Sequence, residues 1–512
     1  MVKSLLRSSV VFSAMTMVSR VLGLVRDTLL ARYFDVVVTD AFFAALRIPN
    51  TLRRFFAEGG FANAFVPVFS STKTQQPEQL RDLLAHTIGT LLTLLVGVTV
   101  LGVLGSAVIL QGVAFGLVDN PEQFLLAEQM LRIMFAYILF ISLTALAGGV
   151  LNAHGQFALP AITPVILNVT LIGAALWRRS VGVPPVGMYG IELAWAVLLG
   201  GVLQLAIQLP FLWRLGLLVR PRWGHHAGVR RMLRLMVPTL FGSSVGQLTV
   251  LMNTFLASMF VTGSISWLYY SDRLVELPVA LIGVALGTVI LPRLSALKAS
   301  QDFARFVLTL DWALRWAMLL GSAAATGLVV LAPSVLATLF LGGRFDEVDL
   351  QMSMLSLRAY GIGVLFLTLV KILAPAFYAR QDTKTPVKAG LVAMAVNMAA
   401  AIVLGRYFAH VGLALASTLA SVVNVAILWG CLQADGVRFK LGSLWFVGQV
   451  IVANGVMAWV LWYVQGEVVM WVQASMWWRI GHLLLTIAIG VMVYFMALWV
   501  LGLRKQQLRL GE

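Results

Sequence analysis

Apolar stretches recur along the whole chain, and their length sets the architecture. Fourteen segments, at about 9–32, 38–69, 84–110, 125–152, 158–178, 188–214, 232–260, 265–294, 306–332, 350–378, 385–406, 411–432, 444–465 and 476–502, are each long enough as a helix to cross ~30 Å of hydrocarbon. The pattern predicts an all-α polytopic membrane protein with fourteen transmembrane helices. The second and eighth segments are long and broken by proline and glycine. The opening stretch MVKSLLRSSVVFSAMTMVSRVLGLVRD begins like a signal peptide. Arg20 and Arg26 interrupt it and a cleavage site is lacking, so it reads as a retained first helix.

Composition narrows the class. The chain has 512 residues, of which 60% are hydrophobic and 11% charged, whereas a soluble domain carries about 25% charged residues. No linker or low-complexity tract divides it. The single cysteine, Cys431, excludes a disulfide framework and a thiolate metal cluster. A net charge of +16 in a soluble protein would suggest nucleic acid. Here it follows from the positive-inside bias and contact with anionic lipid.

The basic residues also orient the chain. With the N-terminus inside, one inside connection alone holds Arg214, Arg220, Arg222, Arg230, Arg231 and Arg234. The other inside connections hold Lys3, Arg7, Lys73, Arg81, Arg293, Lys298, Arg305, Arg380, Lys384, Lys388, Arg438, Lys440, Arg504, Lys505 and Arg509. All the outside connections together hold only Arg32, Arg178, Arg179, Arg344, Arg406 and Arg479. This asymmetry predicts that both termini are cytoplasmic.

The two halves resemble each other. LNAHGQFALPA at 151–161 aligns with FYARQDTKTPV at 377–387. FVPVFS, with Pro67, aligns with ILPRLS, with Pro292, and 193–212 aligns with 413–432, all at nearly one offset. That offset spans six helices, an even number, so both repeats share one orientation. The repeat predicts two six-helix lobes, 1–216 and 217–440, related by a pseudo-twofold along the membrane normal, as in transporters with a substrate site between the lobes. Residues 441–512, the last two helices, lie outside it. A generic helical bundle is the bland alternative.

Charges at membrane depth cost at least ~2.5–3.5 kcal/mol each at a helix centre, so they mark water, a partner or a substrate. The first segment carries Arg20, Arg26 and Asp27. The second carries Asp40, Arg47, Arg53, Arg54 and Glu58, and the eighth Asp272, Arg273 and Glu276. The tenth carries Arg358 and Lys371. Arg132 and Arg315 sit nearer segment ends, where they could snorkel. Pro49, Gly59 and Gly60 break the second segment, and broken helices are tolerated where they line a cavity. Asp272 and Glu276 stand four apart with Arg273 between them, the pattern of an arginine aimed by carboxylates. Internal salt bridging, Arg26 with Asp27 and Arg273 with Glu276, is an equal alternative for each pair. Across the first, second and eighth segments six arginines face five carboxylates, so the signal is guanidinium type and placement, suited to phosphate and carboxylate oxygens.

MTMVSRVLGLVRD at 15–27, TDAFFAALRIPNTLRRFFAEGGFANAFVPVF at 39–69, WLYYSDRLVELPVALIGVALGTVILPRLS at 267–295 and KILAPAFYARQDTKTPVK at 371–388 closely resemble the MurJ/MviN family of bacterial lipid II flippases, in the multidrug/oligosaccharidyl-lipid/polysaccharide exporter superfamily. The likeness covers essentially the whole chain. It implies transfer of lipid II, the undecaprenyl-pyrophosphate-linked disaccharide pentapeptide, to the outer leaflet of the cytoplasmic membrane for peptidoglycan synthesis. The matching positions of the family's cationic cavity are Arg20, Arg26, Arg53 and Arg273, with neighbours Asp40, Asn50, Asp272 and Glu276, and Lys371 in the tenth helix. The resemblance implies a monomer among membrane lipids, with no cofactor and no metal, driven by membrane potential or a monovalent-ion gradient. Asp35 stands where the family commonly has glycine. Asp382 lies near a position linked to sodium in some members and is assigned no ligand role.

Other classes fit less well. Export of another lipid-linked oligosaccharide stays open. A drug exporter for cations wants acids and aromatics without competing arginines, and a scaffold needs no polar groups in broken helices. An enzyme would show a metal or nucleophile motif, and none is present. His225 and His226 read as solvated loop residues. Trp459 and Trp462 could belong to a groove for a lipid tail. Trp471, Trp477 and Trp478 read instead as an aromatic interface belt.

Overall fold

A computed structural model describes residues 2–54, 60–181, 189–437 and 444–503. The predicted sites Glu58, Gly59, Arg438, Lys440, Arg504, Lys505 and Arg509 lie outside those residues. Among them the structure is helical, with no strand beyond one isolated bridge, Gly342 to Phe345. Among the described residues ten helices are long and apolar enough to cross a membrane. The chain divides into two compact units, Met1–Gly263 and Ser264–Glu512.

The first unit contains α1 (Val2–Tyr33), α2 (Val36–Arg53), α3 (Gly60–Gln75), α4 (Leu80–Leu104), α5 (Ser106–Val113), α6 (Pro121–Ala153), α7 (Ala158–Val181), α8 (Ile191–Ala206), α9 (Leu209–Arg214) and α10 (Ala227–Ser258). Its centre is α6, which packs against α2, α3, α4 and α8. Met130, Leu131, Met134, Phe135, Tyr137 and Ile138 are all buried and form one broad apolar face turned to the core. Asn120 starts α6 by accepting the Gln123 amide (3.3 Å), and Pro121 fits the first turn. The predicted third segment is two helices: α4 stops at Gly105 and α5 continues beyond it.

The second unit contains α11 (Ser264–Pro278), α12 (Ala285–Ala299), α13 (Phe303–Val330), α14 (Ala332–Leu339), α15 (Glu347–Tyr378), α16 (Lys384–Ala434), α17 (Leu444–Gln465), α18 (Val468–Gln473) and α19 (Met476–Val500). Here α15 is central, packing against α11, α12, α13, α14 and α16. Asp346 and Asp349 form a reciprocal capping box at its start. The break predicted in the eighth segment is a π-helical turn, Val279–Val284, joining α11 to α12. Pro278 ends α11 with no N–H to give, and a widened turn absorbs the missing bond. Predicted segments 385–406 and 411–432 are the two helical arms of α16, which meet at a kink at Ala409, where the backbone leaves the helical region (φ 47°).

The final helices dock through polar groups as well as apolar ones. Leu461, Tyr494 and Leu498 pack with Leu319. Asn454 donates to Ser322 Oγ (2.9 Å) and accepts from Thr326 (3.0 Å), tying α17 to α13. Interhelical hydrogen bonds of this kind hold helices together where lipid gives no hydrophobic drive. Trp471 departs from the interface-belt expectation. It is fully buried, donates to the Gln465 carbonyl (2.8 Å) and meets Trp478 edge-on. Trp459, Trp462 and Trp477 are exposed. Buried Arg479 donates to the carbonyls of Ala337, Leu341 and Val472, which pins α19 to α14 and α18.

Candidate functional site

Packing decides which face of each charged helix stays available. On α2 the mainly apolar run Val38–Leu46, which includes Thr39 and Asp40, is buried together with Ile48, Pro49 and Thr51, and the helix packs on α6. Arg47, Asn50, Arg53 and Arg54, at helical i, i+3 and i+4 spacings, form a less buried polar stripe. The structure separates Asp40 from that stripe. Asp40 is buried one-third of the way along α2, where its Oδ2 accepts the Gly263 amide (2.6 Å). Thirteen residues of helix put it ~20 Å from Arg53. It lines a cavity of about 270 Å³ with Asp119, Asn120, Gln123, Ser258 and Thr262.

On α1, Arg20 is exposed and the Arg26 side chain mostly buried. Arg26 donates from Nε (2.9 Å) and Nη2 (2.6 Å) to one oxygen of Asp27, whose side chain is wholly buried. Its Nη1 donates to Asn168 Oδ1 on α7 (3.1 Å). Asn168 is itself 5% exposed and donates from Nδ2 to the Ser19 carbonyl (2.9 Å). Sequence reasoning passed over Asn168; its one signal was a lone amide in the apolar run PVILNVTLIG.

In the second unit, Trp267, Ser271, Leu274 and Val275 form the buried stripe of α11. Trp267 Nε1 donates to Asp349 (2.8 Å) and Ser271 Oγ to the Ser353 carbonyl (2.9 Å), both on α15. That fixes the rotation of α11 and leaves Asp272, Arg273 and Glu276 off the packed face. Arg273 Nη1 donates to Glu276 Oε2 (2.8 Å), with both side chains partly exposed. The expected pairing therefore forms in both units, Arg26 with Asp27 and Arg273 with Glu276. Lys371 has an exposed side chain on α15. Its backbone abuts the turn joining α11 to α12, where a Cβ on Gly287 would overlap the Lys371 carbonyl oxygen and one on Gly283 would crowd Lys371 Cβ.

Other expectations change. Arg315 does not snorkel; it is mostly buried and pairs with Asp311 (2.8 Å) one turn away. Arg132 pairs with Glu128 (2.6 Å) and also donates to Ser106. His226 is not simply solvated. Its Nδ1 accepts the Gly228 amide (3.0 Å) at the start of α10, and its ring lies 5.4 Å from that of His86 beside Asp82. Asp35 receives a hydrogen bond from the Tyr189 hydroxyl. Asp382 accepts the Lys384 and Thr385 amides (both 3.0 Å), so it caps α16. Hydrogen bonds from the Thr385 side chain, then from its amide, hold the Asp382 carboxyl below the usual carboxylate range. Among the described residues no three His, Cys, Asp or Glu side chains could hold a metal ion.

The chain as a whole is similar to known proteins. A family model described as lipid II flippase MurJ matches residues 30–481. The chain is 42% identical to the probable lipid II flippase MurJ of Vibrio cholerae, over 99% of this chain and 98% of the relative. It is 40% identical to the lipid II flippase MurJ of Burkholderia cenocepacia, over 99% of each. A solved lipid II flippase MurJ in an inward closed conformation aligns with TM-score 0.80 at 25% identity, over 95% of this chain and 98% of that one. An inward-facing multidrug transporter of the MATE family aligns with TM-score 0.66 at 14% identity, over 85% of this chain, which is a likeness of fold alone.

Proposed function

Because the chain belongs to the lipid II flippase MurJ family, we propose that it carries lipid II from the inner to the outer leaflet of a bacterial cytoplasmic membrane by alternating access, for peptidoglycan synthesis. One observation in the first unit supports the chemistry. Arg26 is anchored from the side by Asp27 and by a neutral amide, Asn168, on α7. An oriented guanidinium suits a pyrophosphate, whose oxygens accept charge-assisted hydrogen bonds in pairs. Arg20 on the same helix, Arg53 and Asn50 on α2, and Asp272, Arg273, Glu276 and Lys371 in the second unit complete the proposed substrate-binding set. Asp40, grouped with them in the sequence, stands apart from the set, buried on the Gly263 amide. The protein works as a transporter with no catalytic residues.

The finer architecture rests on the sequence. Fourteen helices cross the membrane, both termini are cytoplasmic, and the internal repeat divides the chain into lobes 1–216 and 217–440. Residues 441–512 face the lipid tail, which is too apolar to enter a polar cavity. The chain works as a monomer among membrane lipids. Membrane potential or a monovalent-ion gradient drives the cycle without a cofactor. The test is depletion of the protein in its host, scoring lipid II reachable on the outer face. A fall in outward lipid II as the protein disappears is expected. Unchanged outward lipid II, in a host with no second flippase, would overturn the reading.

A further inference from the structure

We propose that Asn168 is a positioning residue for Arg26, setting the plane of the guanidinium that meets the anionic headgroup. The inference rests on the lipid II reading above.

The geometry assigns the amide its orientation. Asn168 Oδ1 lies 3.1 Å from Arg26 Nη1, a donor, and Nδ2 lies 2.9 Å from the Ser19 carbonyl, an acceptor. Turning the amide over would set two donors and two acceptors against each other, so only one orientation satisfies both ends. The side chain is 5% exposed, at the place where α7 packs on α1. Asn168 thus joins the Arg26 side chain to the backbone of Ser19, beside Arg20.

Asp27 alone does not fix the guanidinium. Nε and Nη2 both donate to a single carboxylate oxygen, Oδ1, and a fork gripping one point can pivot about it. The Asn168 bond to Nη1 supplies a second point, on another helix, and two points fix the plane. The choice of amide over carboxylate also matters. A second acid at 168 would compete with an incoming phosphate for Arg26, whereas a neutral acceptor aims the guanidinium without cancelling its charge. A guanidinium that must find its orientation for each substrate loses part of the benefit of preorganisation.

The experiment is a double-mutant cycle on the full-length protein, with lipid II binding and outward lipid II both measured. Arg26→Ala, Asn168→Ala and the double variant are compared at matched membrane abundance, with thermal stability measured for each. Losing a hydrogen bond to a charged group predicts about tenfold weaker lipid II binding for Asn168→Ala. In the Arg26→Ala background the same change should cost no further binding, because its target is gone. Equal, additive losses in both backgrounds would show a structural role only and overturn the proposal. So would wild-type binding by Asn168→Ala. Where Asn168→Ala accumulates poorly, Asn168→Ser, still polar but too short to reach Nη1, runs the same cycle with the same expected outcome. Wild-type binding and transport by Arg26→Ala would instead strike the lipid II reading at this site, which separates the two failures.

Discussion

Single residues show best how far type and spacing can be read. The charged set Arg20, Arg26, Arg53, Asp272, Arg273, Glu276 and Lys371 stands out in sequence because ionised groups are rare in apolar segments. What each one touches is not legible there. Asp40 and Asn50 look alike as polar breaks in one segment, yet Asp40 is buried on the Gly263 amide while Asn50 lies on the open stripe with Arg53. Asp382 is the clearest case, since its carboxylate receives the first amides of α16. Asp382→Ala should lower stability by about 1 kcal/mol near neutral pH, the usual worth of a cap. The folded-state carboxyl titrates below its unfolded value, so its contribution is full above the unfolded pKa and fades as pH falls through the folded one. Thermal melts of the two proteins in detergent should therefore converge in acid. A gap that stays constant down through the carboxylate range would contradict the capping role.

At the level of elements, apolar length located the helices, but chain breaks followed from details a window of hydropathy averages away. Pro278 was visible, yet the π-helical turn it sets up depends on Gly283 and Gly287 lying against α15. The break between segments 385–406 and 411–432 was legible as a gap in apolar length, but not that Ala409, a non-glycine residue with positive φ, would carry it, because tertiary packing holds a conformation the residue itself disfavours. Close approach makes a direct test. Gly287→Val places its Cβ on the Lys371 carbonyl oxygen, so α15 must shift or the joint must open. Overpacking of this kind costs typically ~1–3 kcal/mol. The expected result is a lower melting temperature together with reduced transport. Unchanged stability would mean that α12 and α15 do not approach closely there.

On the scale of the whole molecule, the sequence repeat and the basic connections speak to lobes and orientation, and the family's characteristic motifs speak to function. Charge bookkeeping in sequence gave near-neutral core helices, and the paired arginines explain why. Asp27 and Glu276 hold Arg26 and Arg273 in place, and the proposed recognition rests on oriented guanidinium groups more than on a bulk positive field. The long amide-to-arginine link across α1 and α7 joins residues 142 positions apart, which no local pattern reveals. The most direct measurement is outward-exposed lipid II in a host depleted of the native protein and supplied with Arg26→Ala at wild-type abundance. Outward lipid II close to the depleted level is the predicted result. Recovery to the level restored by the wild-type protein would contradict the claim that this arginine carries the lipid-linked anion across.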